Sequence, residues 1–336
     1  MHTFPLDFQW PAQEPFLFCV HHHDMYPKGN SEQALDDQYL QWRQLGQDFE
    51  LKEGFRTYHG APVPGFPVHP HRGFETITIV RKGFVDHADS MGASGRYGQG
   101  DVQWMTAGAG VQHSEMFPLV SQEQNNELEL FQIWLNLPKK SKMTKPHFKM
   151  LWSENIPQLE IDKGRTQVQI IAGEFCSQKA LAPPPDSWAA TAENEVHILL
   201  VKMDTDGQFQ LPPSKNPSRR SFYFFKGSQA NLNKQDISLN SGVFVPGQET
   251  HIVQNMGEPI EFLLLQATPI GEPVVQHGPF VMNTRSEISQ AIDDYQRTQF
   301  GGWDWPRQDM IHGPKPQRFA KLPDGSLEYP PQKTIS

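Results

Sequence analysis

Short apolar runs separated by turn residues recur along most of the chain. Residues 75–80 are rich in β-branched side chains, and the turn sequence Arg81-Lys82-Gly83 follows them. Runs of this length and composition between turn residues are typical of β-strands. The same pattern predicts strands at 16–20, 101–105, 127–137, 168–173, 197–201, 221–225, 242–245 and 261–266. Regularly spaced short strands favour a β-barrel or a β-sandwich.

One clear helical pattern lies near the C-terminus, from residue 286 to about 297. Thr284 and Glu287 have the spacing of a capping box, in which each side chain accepts a hydrogen bond from the other's backbone N–H. Apolar residues recur at helical spacing along one face: Ile288, Ala291, Ile292 and Tyr295. Gly301 and Gly302 predict the end of the helix. Residues 303–336 are predicted to be an extended arm on the surface.

The chain divides into two similar halves. Residues 139–145 contain four lysines and no periodic pattern, which is the composition of a solvated connector. The turn Lys226-Gly227 in the second half matches Lys82-Gly83 in the first. We therefore predict two β-barrels in tandem, with an N-terminal domain at 1–150, a C-terminal domain at 151–285, and the helix with its arm at 286–336.

Composition excludes several classes of protein. The 336 residues carry a formal net charge of -9 and no dense basic block, which argues against direct binding to nucleic acid. The two cysteines, Cys19 and Cys176, are far apart, so neither a disulfide framework nor a sulfur-ligated zinc site is expected. No apolar run approaches the ~20 residues that cross a bilayer, and the start lacks a signal-peptide pattern. We expect a cytoplasmic protein without membrane contact.

Two pairs of ligand-type residues suggest a metal site in the first half. His69 and His71 are two apart, and so are His113 and Glu115. Side chains two apart on a strand point to the same face, so pairing of the two strands would direct all four at one point. Three imidazoles and one carboxylate suit Fe, Mn, Ni, Cu or Zn.

Other histidines fit a metal site less well. His21, His22 and His23 are consecutive and would alternate between the two faces of a strand, so they cannot share one ion, although one of them could line a pocket. In the second half His251 stands without other histidines near it in the corresponding motif, and one imidazole holds an ion poorly. We expect the C-terminal domain to be free of metal and to cover, brace or shape the N-terminal site.

Three runs resemble the pirin family of bicupins: residues 69–76, 110–116 and 276–284. The resemblance extends from about residue 65 to residue 301. It implies two cupin barrels (double-stranded β-helix, jelly-roll) and one mononuclear metal, usually iron, in the N-terminal barrel. It implies the same ligands, His69, His71, His113 and Glu115. In the commoner cupin pattern the carboxylate ligand would instead be Glu75, which we place outside the inner ligand set or on the opposite strand face.

The resemblance also implies a function. Some pirins resemble flavonol dioxygenases, so we expect an Fe2+-dependent, quercetin 2,3-dioxygenase-like enzyme that opens a flavonol or a related enolic or catecholic substrate with O2. Glu115 would then be both metal ligand and proton acceptor. The alternative is an iron-binding, redox-responsive regulator that binds a protein partner without catalysis.

Overall fold

The structure is a computed structural model that describes residues 1–332. Strands hold 44% of the residues and helices 10%, which confirms the predicted all-β fold. Every predicted strand overlaps an observed one. None of the helices in the described range is long and apolar enough to span a membrane.

The strands of the first half of the chain are β1 (His2–Pro5), β2 (Gln9–Trp10), β3 (Phe16–Tyr26), β4 (Gly65–His71), β5 (Phe74–Lys82), β6 (Phe84–Asp89), β7 (Ser94–Gly98), β8 (Val102–Thr106), β9 (Val111–Met116), β10 (Asn126–Asn136), β11 (His147–Leu151) and β12 (Gln158–Ile161). They continue with β13 (Thr166–Ala172), β14 (Glu174–Phe175), β15 (Gln178–Lys179), β16 (His197–Met203), β17 (Gln208–Leu211), β18 (Arg219–Lys226), β19 (Gln229–Leu232), β20 (Gln235–Ser238), β21 (Ser241–Pro246), β22 (His251–Gln254), β23 (Ile260–Ala267), β24 (Val275–His277), β25 (Phe280–Met282), β26 (Phe319–Lys321) and β27 (Leu327–Glu328). The α-helices are α1 (Asp37–Leu40) and α2 (Arg285–Thr298), and short 3-10 turns lie at Lys139–Ser141, Asp162–Gly164, Trp188–Ala190, Ala192–Asn194 and Gln299–Gly301.

The chain forms two compact units, each made of separate segments. The first unit contains residues 21–132, 139–154 and the described chain from 272 onward; the second contains residues 1–20, 133–138 and 155–271. Compact units of this kind do not by themselves define domains that fold independently. The division of the chain at residues 150 and 285 therefore stays a prediction.

The first unit is built around antiparallel sheets whose central strands are wholly buried. One sheet has the strand order β27-β26-β7-β6-β9-β4, and β5 pairs with β8, and β8 with β11, in another. All residues of β7, β8 and β9 are buried. A strand buried on both faces shows no clean alternation of polar and apolar residues. Polar side chains of these strands must therefore find partners inside the unit.

The second unit has a seven-stranded sheet, β1-β21-β18-β23-β16-β13-β12, and a four-stranded sheet, β17-β22-β19-β20. Buried aromatic and branched side chains fill its core, among them Leu199, Phe209, Phe222, Phe262 and Leu264. The strand β1, at the start of the chain, pairs with β21 over residues 2–5 and 241–244. Such a distant pairing has no local signal in the sequence.

The predicted helix is confirmed as α2. Its capping box is present, because the Thr284 side chain accepts from the Glu287 N–H and the Glu287 carboxylate accepts from the Thr284 N–H. The arm that follows is partly built into the first unit. Its strand β26 pairs with β7, and Ala320 within it is fully buried.

Candidate metal centre

Two paired strands position the predicted histidines. The antiparallel strands β4 and β9 place His69 opposite His113, and a bulge lies between Phe66 and His69. The bulge precedes His69, so it leaves the two-residue spacing of His69 and His71 intact. The predicted alternation of side chains therefore holds for His69 and His71 on β4. It also holds for His113 and Glu115 on β9.

The three histidines form one cluster in the first unit. One ring nitrogen of each of His69, His71 and His113 lies within 4.8 Å of the other two. Ring centroids are 4.5 Å apart for His69 and His113, and 4.8 Å apart for each other pair. Among residues 1–332 this is the one group of three or more ligand-type side chains at such separations. His71 and His113 are buried, whereas His69 is half-buried.

The surroundings favour neutral imidazoles. Burial lowers the pKa of His69 to about 4 and the pKa values of His71 and His113 well below the ordinary value. Neutral imidazole is the form that binds a metal ion. The Nδ1 atom of His69 lies 2.8 Å from the carbonyl oxygen of Pro67, which leaves Nε2 for the cluster.

The ring of His113 supplies the test of fit. Both of its nitrogens are buried, and neither has a hydrogen-bond partner within the described part of the chain. Buried polar atoms without partners are rare in native proteins and call for an explanation, such as a bound ion. A metal held by the three imidazoles would provide that partner.

Glu115 lies beside this cluster and is firmly oriented. Its Oε2 atom is 3.9 Å from Nε2 of His113 and accepts a 2.6 Å hydrogen bond from Gln132. Its Oε1 atom accepts hydrogen bonds from Thr78 at 3.0 Å and from Tyr97 at 3.3 Å. Burial raises the pKa of Glu115, while His87 and the three hydrogen bonds act to lower it. The carboxylate is outside the tightest group of three but adjacent to it.

Glu75 is placed differently. It is fully buried on β5, opposite Thr106 of β8, and accepts a 2.7 Å hydrogen bond from the Thr106 hydroxyl. Like Glu115, it is not in the group of side chains within 4.8 Å of one another. The assignment of Glu115 as the carboxylate ligand stays a prediction, supported by its short distance to His113.

The structure adds a pair of residues that the sequence reasoning missed. His87 of β6 lies opposite Glu115, and Asp89 lies opposite His113, so all four share one face of the paired strands. His87 Nε2 is 3.0 Å from Asp89 Oδ2, and its ring centroid is 5.5 Å from that of His113. These two residues have the same two-residue spacing as the predicted ligands, so a search for that spacing at residues 87 and 89 could have found the pair.

The C-terminal helix α2 is hydrogen-bonded to the residue that follows His71. Arg72, which follows His71, donates to the Asp294 carboxylate of α2 at 2.9 Å and to the Ala109 carbonyl at 2.7 Å. Its guanidinium also lies 4.5 Å from the centre of the Phe300 ring. A buried arginine with these partners fixes the end of β4 against the turn before β9.

The three consecutive histidines alternate as expected. His21 pairs with Glu129 at 3.2 Å, and His23 pairs with Glu127 at 3.0 Å. His22, between them, is buried against the ring of Tyr58, with centroids 4.8 Å apart.

A buried arginine lies beside the buried His251 of the second unit. His251 Nδ1 lies 2.8 Å from a guanidinium nitrogen of Arg220, and both side chains are buried. Arg220 also donates to the side chain of Gln266 and to two backbone carbonyls. Burial, with help from Arg220, lowers the pKa of His251 to about 4.

Two family models match the chain at the regions just described. The model described as Pirin matches residues 12–135, and the model described as Pirin C-terminal cupin domain matches residues 198–301. The chain belongs to the pirin family. One pirin model thus covers most of the first half of the chain and the other covers most of the second, which confirms the predicted cupin-type domains.

Individual relatives agree with this family. Pirin-1 of Arabidopsis thaliana is 39% identical over 249 residues, which cover 70% of this chain and 78% of that protein. A Pseudomonas aeruginosa protein named "Putative quercetin 2,3-dioxygenase" is 32% identical over 70% of this chain and 79% of its own length. A crystal structure of quercetin 2,3-dioxygenase from Acinetobacter baumannii matches with a TM-score of 0.71 and 26% identity, covering 90% of this chain and 98% of that one.

Proposed function

We propose that this pirin is a mononuclear metal-dependent dioxygenase that uses Fe2+ and opens a flavonol such as quercetin, or a related enolic or catecholic substrate, with O2. The observation that carries the proposal is the cluster of three imidazoles, in which the buried nitrogens of His113 lack a hydrogen-bond partner in the described chain. The names of the bacterial relatives supply the substrate class.

The ligand set we propose is His69, His71, His113 and Glu115. When bound, the metal would supply Lewis acidity and open coordination positions for the substrate and O2. Imidazole and carboxylate ligands also suit Mn, Ni, Cu and Zn, so the choice of iron rests on the family.

In this proposal Glu115 accepts the proton of the substrate hydroxyl. Its Oε2 atom is the carboxylate oxygen that lies nearer to the cluster, 3.9 Å from Nε2 of His113. Thr78 and Tyr97 hold the other oxygen, so the carboxylate is oriented before the substrate arrives. Burial raises the pKa of Glu115 and makes it a better proton acceptor than an exposed carboxylate.

The test combines metal analysis with oxygen uptake. We expect the purified protein reconstituted with Fe2+ to bind about one ion and to consume O2 when quercetin is added. His113→Ala should lose both the iron and the activity. His251→Ala, which removes a buried histidine of the second unit, is the matched control and should retain both.

Two results would contradict the proposal. If His113→Ala loses its iron while turnover persists, the site is assigned wrongly. If iron binds and neither flavonols nor catechols cause oxygen uptake, the dioxygenase function is wrong. The alternative of an iron-dependent protein that binds a partner then gains support, and a pull-down in both redox states of iron would test it.

A further inference from the structure

The three clustered histidines differ in their access to solvent. His71 and His113 are buried, whereas His69 is half-buried. A substrate from solvent therefore meets the cluster on the side of His69. The residues that surround this side decide which molecules can approach.

Aromatic rings lead from solvent to His69. The ring of Phe66, which is half-buried, lies 6.3 Å from that of His69. Phe49 and His59 lie further out, 6.4 Å and 5.6 Å from Phe66 and 4.9 Å from each other. Phe49 is 38% exposed, and His59 is also exposed. We call Phe49, His59 and Phe66 the aromatic wall.

The chain holds this wall in place. Phe49 and His59 belong to residues 27–64, a long connection between β3 and β4, which an isolated bridge between Asp48 and Tyr58 closes into a loop. The Asp48 carboxylate accepts hydrogen bonds from Arg43 at 2.7 Å and from the Thr57 N–H at 3.0 Å. Rings that are fixed before binding lose little entropy when a ligand stacks on them.

The wall also offers a polar atom. The Nδ1 atom of His59 lies 2.7 Å from the carbonyl oxygen of Gly46, so in the neutral ring Nδ1 carries the proton and donates. Nε2 is then an acceptor for a hydroxyl group. Flat apolar rings together with one hydroxyl acceptor match a planar polyphenol with more than one ring.

We propose that the aromatic wall binds the part of a multi-ring phenolic substrate that extends away from the histidine cluster. Phe49 and Phe66 contact its ring system, and His59 accepts a hydrogen bond from one of its hydroxyl groups. The inference rests on the proposed function, and it makes the wall the determinant of substrate size. A one-ring catechol that reaches the cluster does not extend to Phe49.

The test measures binding of two probes to the iron-loaded protein without O2. Phe49→Ala should weaken quercetin binding about 5- to 10-fold, because one aromatic contact of this kind is lost. Catechol affinity and iron content should not change, and Phe49→Trp should restore quercetin binding. With O2 present, the loss should appear in KM for quercetin more than in kcat. The matched control is Trp42→Ala, which removes a side chain that is 93% exposed in the same connection.

The outcomes separate the two proposals. If the wild type binds quercetin and consumes O2 while Phe49→Ala is unchanged, the aromatic wall is refuted and the dioxygenase function stands. An equal loss of catechol and quercetin affinity would also refute it, because the effect would then be on the cluster. If the wild-type protein neither binds quercetin nor consumes O2, both proposals fail.

Discussion

Replacement of Glu115 by glutamine tests the carboxylate ligand with little change in shape. The hydroxyls of Thr78 and Tyr97, which now donate to Oε1, can rotate and accept from an amide instead. The fold should therefore survive, with a melting temperature within about 4 °C of the wild type. Loss of residues that only support a ligand costs about 10- to 100-fold in metal affinity, so loss of the ligand itself should cost more than about 100-fold, or ~2.7 kcal/mol.

The assay is competition for Fe2+ against a chelator, followed by metal analysis after dialysis. Glu75→Gln is the matched control, since Glu75 is equally buried and bonded to the Thr106 hydroxyl. It should retain stoichiometric iron. The reasoning is refuted if Glu75→Gln releases the metal and Glu115→Gln keeps it, because the ligand would then be the carboxylate on β5.

Three further predictions concern the neighbours of the site and the second unit. Gln132→Leu removes the 2.6 Å hydrogen bond to Glu115, the proposed carboxylate ligand, and should weaken metal binding about 10- to 100-fold in chelator competition. Arg72→Met removes a buried charged hydrogen bond to Asp294 and should lower the free energy of unfolding by about 2 kcal/mol in urea titrations. Its control is Arg297→Ala, which removes an exposed partner of the same carboxylate and should lower that free energy by under about 1 kcal/mol. The pKa of His251 is lowered from its ordinary value of 6.5 to about 4. The stabilisation from its neutral ring is therefore complete above pH 6.5 and is lost progressively as the pH falls from 6.5 to about 4. His251→Gln should flatten the dependence of the free energy of unfolding on pH between these two values.

The sequence predicts the features of this fold that depend on local spacing. The capping box of α2 needs only Thr284 and Glu287, three residues apart, and it is present. The clustering of His69 and His71 with His113 needs only the alternation of a strand, which the bulge before His69 does not disturb. The role of these residues and of Glu115 as metal ligands stays a prediction.

Features that depend on distant pairing could not be predicted in this way. The strand β1 joins β21 across more than two hundred residues, and β26 of the arm joins β7. The aromatic wall also depends on a bridge, between Asp48 and Tyr58, within a connection that has no periodic pattern. Contacts of this kind are determined by the packing of the whole unit and produce no regular spacing of residues in the sequence.

The two units stabilise their buried histidines in different ways. Polar side chains inside a barrel must find partners or a counter-charge. In the first unit the buried nitrogens of His113 have no hydrogen-bond partner in the described chain, and the Glu115 carboxylate lies 3.9 Å away, so the site favours a cation. In the second unit Arg220 is itself the cation, and Gln266, His251 and two carbonyls satisfy its N–H groups. A metal ion there would be repelled by the guanidinium of Arg220 at short range. The His251 nitrogen that faces Arg220 is already in contact with that side chain. Electrostatics therefore favours the first unit over the second for the proposed metal site, independently of the count of histidines.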